Sequence, residues 1–179
     1  DKSDLTGVAI SIGPGSFTGL RIGLATAKML SYALSIPVVA VSSLEAMAYH
    51  YPVPGVYVAS VLDAQKSNAY FALYEWNGKD FDEKKQTCVM DFEEVVKYCA
   101  TLDKPVVFVG DIAQKKADII AQYENVSLGL PHLCMPRASN VAMAAKARFE
   151  NEDYDNIMDL EPVYIRRSEA EVLWEKRHG

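Results

Sequence analysis

The chain has 179 residues, half of them hydrophobic and 23% charged, enough apolar material to fill a core and too much for a disordered tail. Its 18 Lys and Arg against 24 Asp and Glu leave a net charge of −6, a poor balance for gripping a phosphate backbone unaided. No apolar stretch approaches a bilayer span, and Cys88, Cys99 and Cys134 are too scattered for a disulfide frame or a zinc site, which reads as a reduced protein of the cytoplasm.

No initiator Met precedes Asp1, so the natural chain is expected either to start further upstream or to have lost a tag. Residues 7–12 form a short apolar run, predicted as a strand, which Gly13-Pro14-Gly15 stops. From Thr18 the chain is rich in Leu, Ala, Met and Lys with no breaker before Pro37, which predicts a long helix capped by Ser16 or Thr18. Residues 37–41 read as a buried β-branched strand, and Ser42-Ser43-Leu44-Glu45 as a capping box opening a helix over 44–49. Pro52, Pro54 and Gly55 mark a boundary between lobes.

After the boundary, strands are predicted at 56–62, 68–76 and 84–90, joined by a polar turn at 63–67 and by Asn77-Gly78. Asp91 caps a helix to about residue 101, with Glu93 and Glu94 in its favourable first turn. A strand at 105–109, a helix at 112–123, a short strand at 126–128, a helix at 138–150 and a short terminal helix at 172–176 complete the pattern.

That order, three strands followed by alternating helices and strands, is the order of a ribonuclease-H-like lobe: an antiparallel meander continued by parallel αβ units. Strand–helix–strand–helix before the boundary matches only the second half of such a lobe. The expected architecture is α/β with two similar lobes, residues 1–51 being the remaining half of the first and residues 52–179 the second.

Gly13, Pro14 and Gly15 make a structural turn between strand and helix, where free backbone N–H groups offer an anion site. The specific nucleotide motifs nevertheless fail. The nearest lysine, Lys28, lies well inside the helix, and Gly13, Gly15 and Gly19 are spaced one residue too wide for the dinucleotide fingerprint. No G-x-S-x-G elbow is present. Gly19, Gly23 and Ala27 recur at four-residue spacing and form a small-residue stripe that lets another helix approach. Leu20, Ile22, Leu24, Met29, Leu30 and Leu34 spread around the rest of the circumference. Such a helix needs cover on nearly all sides: its own sheet on one, an upstream segment or another protein on the other.

Taken together, Ser11-x-Gly13-Pro14-Gly15-Ser16-Phe17-Thr18-Gly19-Leu20-Arg21-Ile22-Gly23, Pro37 and Val41-Ser42-Ser43-Leu44-Glu45-Ala46 resemble the signature of the bacterial TsaB family, also called YeaZ. Asp63-Ala64-Gln65-Lys66-Ser67-Asn68-Ala69-Tyr70 is similar to that family's Asp-Ala-Arg-x-x-Glu-Val-Tyr turn, with Gln65 in place of Arg and Asn68 in place of Glu. Pro136-Arg137-Ala138 and Glu161-Pro162-Val163-Tyr164-Ile165-Arg166-Arg167 match its C-terminal pattern. The resemblance implies an actin/Hsp70-like (ASKHA) fold whose first strands and first helix would precede Asp1. It implies a non-catalytic subunit in the biosynthesis of threonylcarbamoyladenosine (t6A) at position 37 of tRNA. Such a subunit pairs with a catalytic TsaD-like protein, works with a TsaE-like ATPase and forms a homodimer when alone. ATP and metal would belong to those partners, tRNA would be met only indirectly, and no membrane would be involved. The expected partner face is Gly19, Leu20, Ile22, Gly23, Thr26, Ala27 and Leu30.

No chemistry of the chain's own is expected. His50, His132 and His178 are too far apart to propose a metal set, and no serine stands in a recognisable triad context. One rival comes from the lobe order: Asp63, Glu93 or Glu94, and Asp111 occupy points where a two-metal nuclease places carboxylates. Against it, Asp63 reads as a turn residue, Asp111 as a helix cap, and the acidic chain has no basic track. A peptidase activity, the other rival, finds no residues to carry it. The pairs Lys84-Lys85, Lys115-Lys116, Arg166-Arg167 and Lys176-Arg177 read mostly as solvated surface.

Overall fold

In the computed structural model, residues 1–165 are described. Expectations that fall beyond them, the terminal helix at 172–176 among them, lie outside the described residues. The first unit runs β1 (Val8–Gly13), α1 (Phe17–Leu34), β2 (Val38–Ser42) and α2 (Ser43–Ala48). Ser16 caps α1 by accepting the Gly19 N–H at 3.3 Å. The helix stops at Ser35, held left-handed at φ 53°, where Pro37 forces the chain to extend. β1 and β2 then pair in parallel, with Val8 opposite Val38 and Ser11 opposite Val41.

The second unit runs β3 (Tyr57–Asp63), β4 (Asn68–Trp76), β5 (Phe81–Asp91), α3 (Phe92–Ala100), β6 (Val106–Val109), α4 (Asp111–Lys115), α5 (Ala117–Ile120), β7 (Val126–Leu128) and α6 (Ala138–Glu150). Its sheet has the order β5-β4-β3-β6-β7, antiparallel across the first three strands and parallel from β3 to β7. That is the predicted meander continued by αβ units. Period-two alternation along β4 sends Ala69, Phe71 and Leu73 into a core with Phe92, Val95 and Phe108, while Ala72 and Tyr74 face Leu44 and Met47 of α2 on the other side. β5 is the edge strand and carries Asp82, Glu83 and Lys84 exposed, which discourages pairing with another chain.

Three differences from the sequence reading have physical causes. The helix expected at 112–123 is two short helices broken at Lys116 (φ −121°, ψ 36°), because α4 packs beneath β3 while α5 turns to cover β7 and α3. Asp63 is the last residue of β3, not part of the following turn. Residues after the expected boundary also return to the small sheet. Val141, Ala144 and Ala145 of α6 cover Val39 and Val41, and the Val163 N–H donates to the Ile12 carbonyl at 2.8 Å. Thus β1 and β2 lie between α1 on one face and α6 with α2 on the other.

Candidate functional site

Among the described elements α1 carries the most exposed large apolar side chains. Leu24, Ala27 and Ser31 point inward, and Leu24 packs with Val38 and Leu160. On the outer side Ile22 is 64% exposed, Met29 64% and Tyr32 78%. Single exposed apolar residues are ordinary, but several on successive turns of one helix make a contiguous patch. The helix carries Arg21 and Lys28 and no acidic residue, although the chain as a whole is acidic. Around its first turn Arg21 stacks on Phe17, 4.0 Å from the ring centre, and donates to the Tyr164 hydroxyl at 2.8 Å. Phe17 and Tyr164 lie 5.0 Å apart, which ties the C-terminal segment to the first turn of α1.

The expected face residues divide accordingly. Gly19, Ile22, Thr26 and Leu30 are exposed and Leu20 is half-buried. Ala27 is only 3% exposed, and a Cβ on Gly23 would meet Ile10 Cδ1 at 3.4 Å. The small-residue stripe therefore turns toward the helix's own sheet at these two positions, and the outward ridge runs through Ile22, Thr26 and Met29. Sequence spacing alone did not single out Met29 or Tyr32, since both sides of a nearly all-apolar helix look alike. Phe17, Arg21 and Tyr164 were likewise missed, because their contact joins residues far apart in the chain.

The glycine turn has a demanding geometry. Gly13 sits at φ +113°, and a Cβ there would meet Leu20 Cδ1 at 3.0 Å and the Val163 carbonyl at 3.2 Å. Its peptide bond to Pro14 is cis. The turn borders a cleft of about 1150 Å³ between the two units, lined by Ser11, Gly15 and Ser43 on one side and by Asp63, Tyr70 and Asp111 on the other. The Ser11 and Ser43 hydroxyls are 2.6 Å apart and satisfy one another.

Asp63 and Asp111 do come together in this cleft. Lys115 lies between them, 2.9 Å from Asp63 and 3.2 Å from Asp111, and Asp111 also accepts the Asp63 N–H at 3.0 Å. Asp111 is thus no helix cap; Gly110 precedes the helix and the carboxylate turns back to β3. The Lys115 ammonium, helped by the Gln65 N–H, holds the Asp63 carboxyl below the usual carboxylate range. Glu94 pairs with Lys97 at 2.8 Å. Among the described residues no three His, Cys, Asp or Glu side chains gather where a metal could be held. His50 bonds to the Met135 carbonyl at 3.0 Å and to the Asn140 amide at 3.1 Å, which ties the end of α2 to α6. No described helix is long and apolar enough to cross a membrane.

A family model described as TsaD, tRNA N6-adenosine threonylcarbamoyltransferase, matches residues 1–174. Among curated proteins, "tRNA threonylcarbamoyladenosine biosynthesis protein TsaB" of Bacillus subtilis is 32% identical over 96% of this chain and 74% of its own length. The protein of the same name from Escherichia coli is 28% identical over 99% of this chain and 76% of its own. Among solved structures, YeaZ from Pseudomonas aeruginosa superposes with a TM-score of 0.76 at 24% identity, covering 92% of this chain and 75% of that one.

Proposed function

The chain belongs to the TsaB (YeaZ) family, and from that premise we propose that it serves t6A biosynthesis as a non-catalytic scaffold that docks a TsaD-like catalytic subunit. The observation that carries this reading is the outer face of α1, where Ile22, Met29 and Tyr32 stand exposed on a helix without acidic residues. Covering one such side chain contributes about 1.5–3 kcal/mol, more than an exposed ion pair yields. Arg21 and Lys28, the charged residues of this helix, favour an acidic rim on the partner. In the absence of that partner the same face pairs two copies of this chain.

The division of labour follows from the same reading. ATP, metal and the transfer step belong to the TsaD-like and TsaE-like partners, and tRNA is met through them. The protein works in the cytoplasm. Asp63 and Asp111, the carboxylates best placed for another chemistry, are already held by Lys115. The test is size-exclusion chromatography with light scattering, with and without the purified catalytic subunit. A dimer alone and a mixed complex on addition are expected. Failure to form the mixed complex with a subunit that is itself active would overturn the reading.

A further inference from the structure

The charge of α1 is as one-sided as its apolar surface. The chain holds 24 Asp and Glu, yet none falls among the 18 residues of this helix. Its two cations, Arg21 and Lys28, stand seven residues apart, which is close to two full turns, so they share one flank. Ile22 and Met29 follow them at the same spacing and form the exposed ridge beside that flank, with Tyr32 one turn beyond Lys28. On the other side of the ridge lie Gly19, Gly23 and Leu30, without charge. Arg21 is exposed and Lys28 half-buried, and among the described residues neither is neutralised. Arg21 stacks on Phe17 and donates to the Tyr164 hydroxyl, both uncharged, and no carboxylate pairs with it or with Lys28. Asp159, next to the Leu160 that clusters with Leu24, accepts from Asn156 instead.

A face that pairs with itself must tolerate its own charge. In a two-fold pair with the α1 helices antiparallel, both cationic flanks fall on the same side of the contact. Arg21 of one copy then comes opposite Lys28 of the other, and this happens twice. Resting on the reading that this face docks the catalytic subunit, we propose that Arg21 and Lys28 decide which partner the face takes. They penalise the pair of identical chains and favour a catalytic-subunit face that carries carboxylates along one edge of an apolar groove. The ridge of Ile22 and Met29 adheres to either occupant, because burial of apolar surface is non-directional; the cationic flank chooses between them. Self-association is thereby held weak enough for the catalytic subunit to displace it.

The test measures two affinities of the full chain: self-association by analytical ultracentrifugation, and the mixed complex by titration of the purified catalytic subunit. Lys28→Glu sets a carboxylate opposite Arg21 of the other copy and opposite the acidic edge of the catalytic subunit. It should tighten self-association by about three- to ten-fold and weaken the mixed complex by a similar factor. Lys28→Met keeps the half-buried stem and removes only the charge, so it should move both affinities in the same directions by smaller factors. Raising NaCl from about 0.05 to about 0.5 M should strengthen the unsubstituted self-pair and weaken the mixed complex, and Lys28→Glu should reverse the first trend. If both affinities fall together in Lys28→Glu and stay put in Lys28→Met, the charge selection is overturned while α1 remains the docking face. If neither substitution moves either affinity, the selection is overturned and the contact lies on another face. An unsubstituted chain that forms no mixed complex fails the scaffold reading, and the self-association arm then decides the charge penalty by itself.

Discussion

Glu45, half-buried in the first turn of α2, makes stability depend on pH. Its pKa is raised from 4.5 to about 7, first by burial and then by Asp80. The folded protein therefore holds this proton more tightly than the unfolded chain does. The contribution of Glu45 to stability is undiminished below about pH 4.5, falls as pH rises from there to about 7, and stays lower above. At 1.36 kcal/mol per pKa unit the full deficit is ~3 kcal/mol as an upper figure. Glu45→Gln should thus raise the urea-unfolding free energy by ~1–3 kcal/mol at about pH 8 and by far less at about pH 5. Equal gains at both pH values would assign the effect to packing instead. A second residue-scale prediction concerns Gly110, at φ +134°, where a Cβ would fall 1.6 Å from the Val61 carbonyl oxygen. Gly110→Ala has no room to relax against backbone and should cost about 4 kcal/mol or more, read as loss of soluble protein or a collapsed denaturation midpoint. The sequence shows Gly110 only as one glycine before a helix; the approach of β6 to β3 is what makes it irreplaceable.

At the scale of elements, the two sides of α1 should respond oppositely to substitution. Ile22→Glu with Met29→Glu places charge on the exposed ridge and should leave circular dichroism and melting unchanged, while abolishing both self-association and co-elution with the catalytic subunit. Ala27→Leu, at 3% exposure, should destabilise the fold by about 1–3 kcal/mol through overpacking. Retained co-elution in the doubly charged variant would move the interface to another face. β2 has its own device. Its outer edge is closed by side chains: Ala40 donates its N–H to Asp155 at 2.7 Å and accepts from Arg148 at 3.0 Å. Asp155→Ala leaves that N–H unpaired and removes one of the ion pairs of Arg148, and should cost about 1–3 kcal/mol in chemical denaturation. Here the helices and strands were legible in local spacing, because periodicity and caps act over a few residues. Which side of α1 faces out, and what closes the edge of β2, were not.

At the scale of the molecule, the two sheets of the described residues, unequal in size, are joined through α2, which touches strands of both, and through α6, which returns from the second unit to cover the first. The purified chain alone should transfer no threonylcarbamoyl group to tRNA, and activity should appear only with the catalytic subunit and ATPase added; modification by the isolated chain would sink the non-catalytic reading. By itself the sequence determined most of the elements and their order, the mixed five-stranded sheet and the family, since motifs such as residues 11–23 and the alternation along β4 are carried by neighbours in the chain. Only the tertiary structure decided that Ala27 is buried while Met29 is exposed, that Lys115 joins Asp63 to Asp111, and that the Tyr49 hydroxyl meets Asp80. Each of those depends on which distant segments pack together, and packing is settled by shape and desolvation across the fold, quantities that local spacing does not contain.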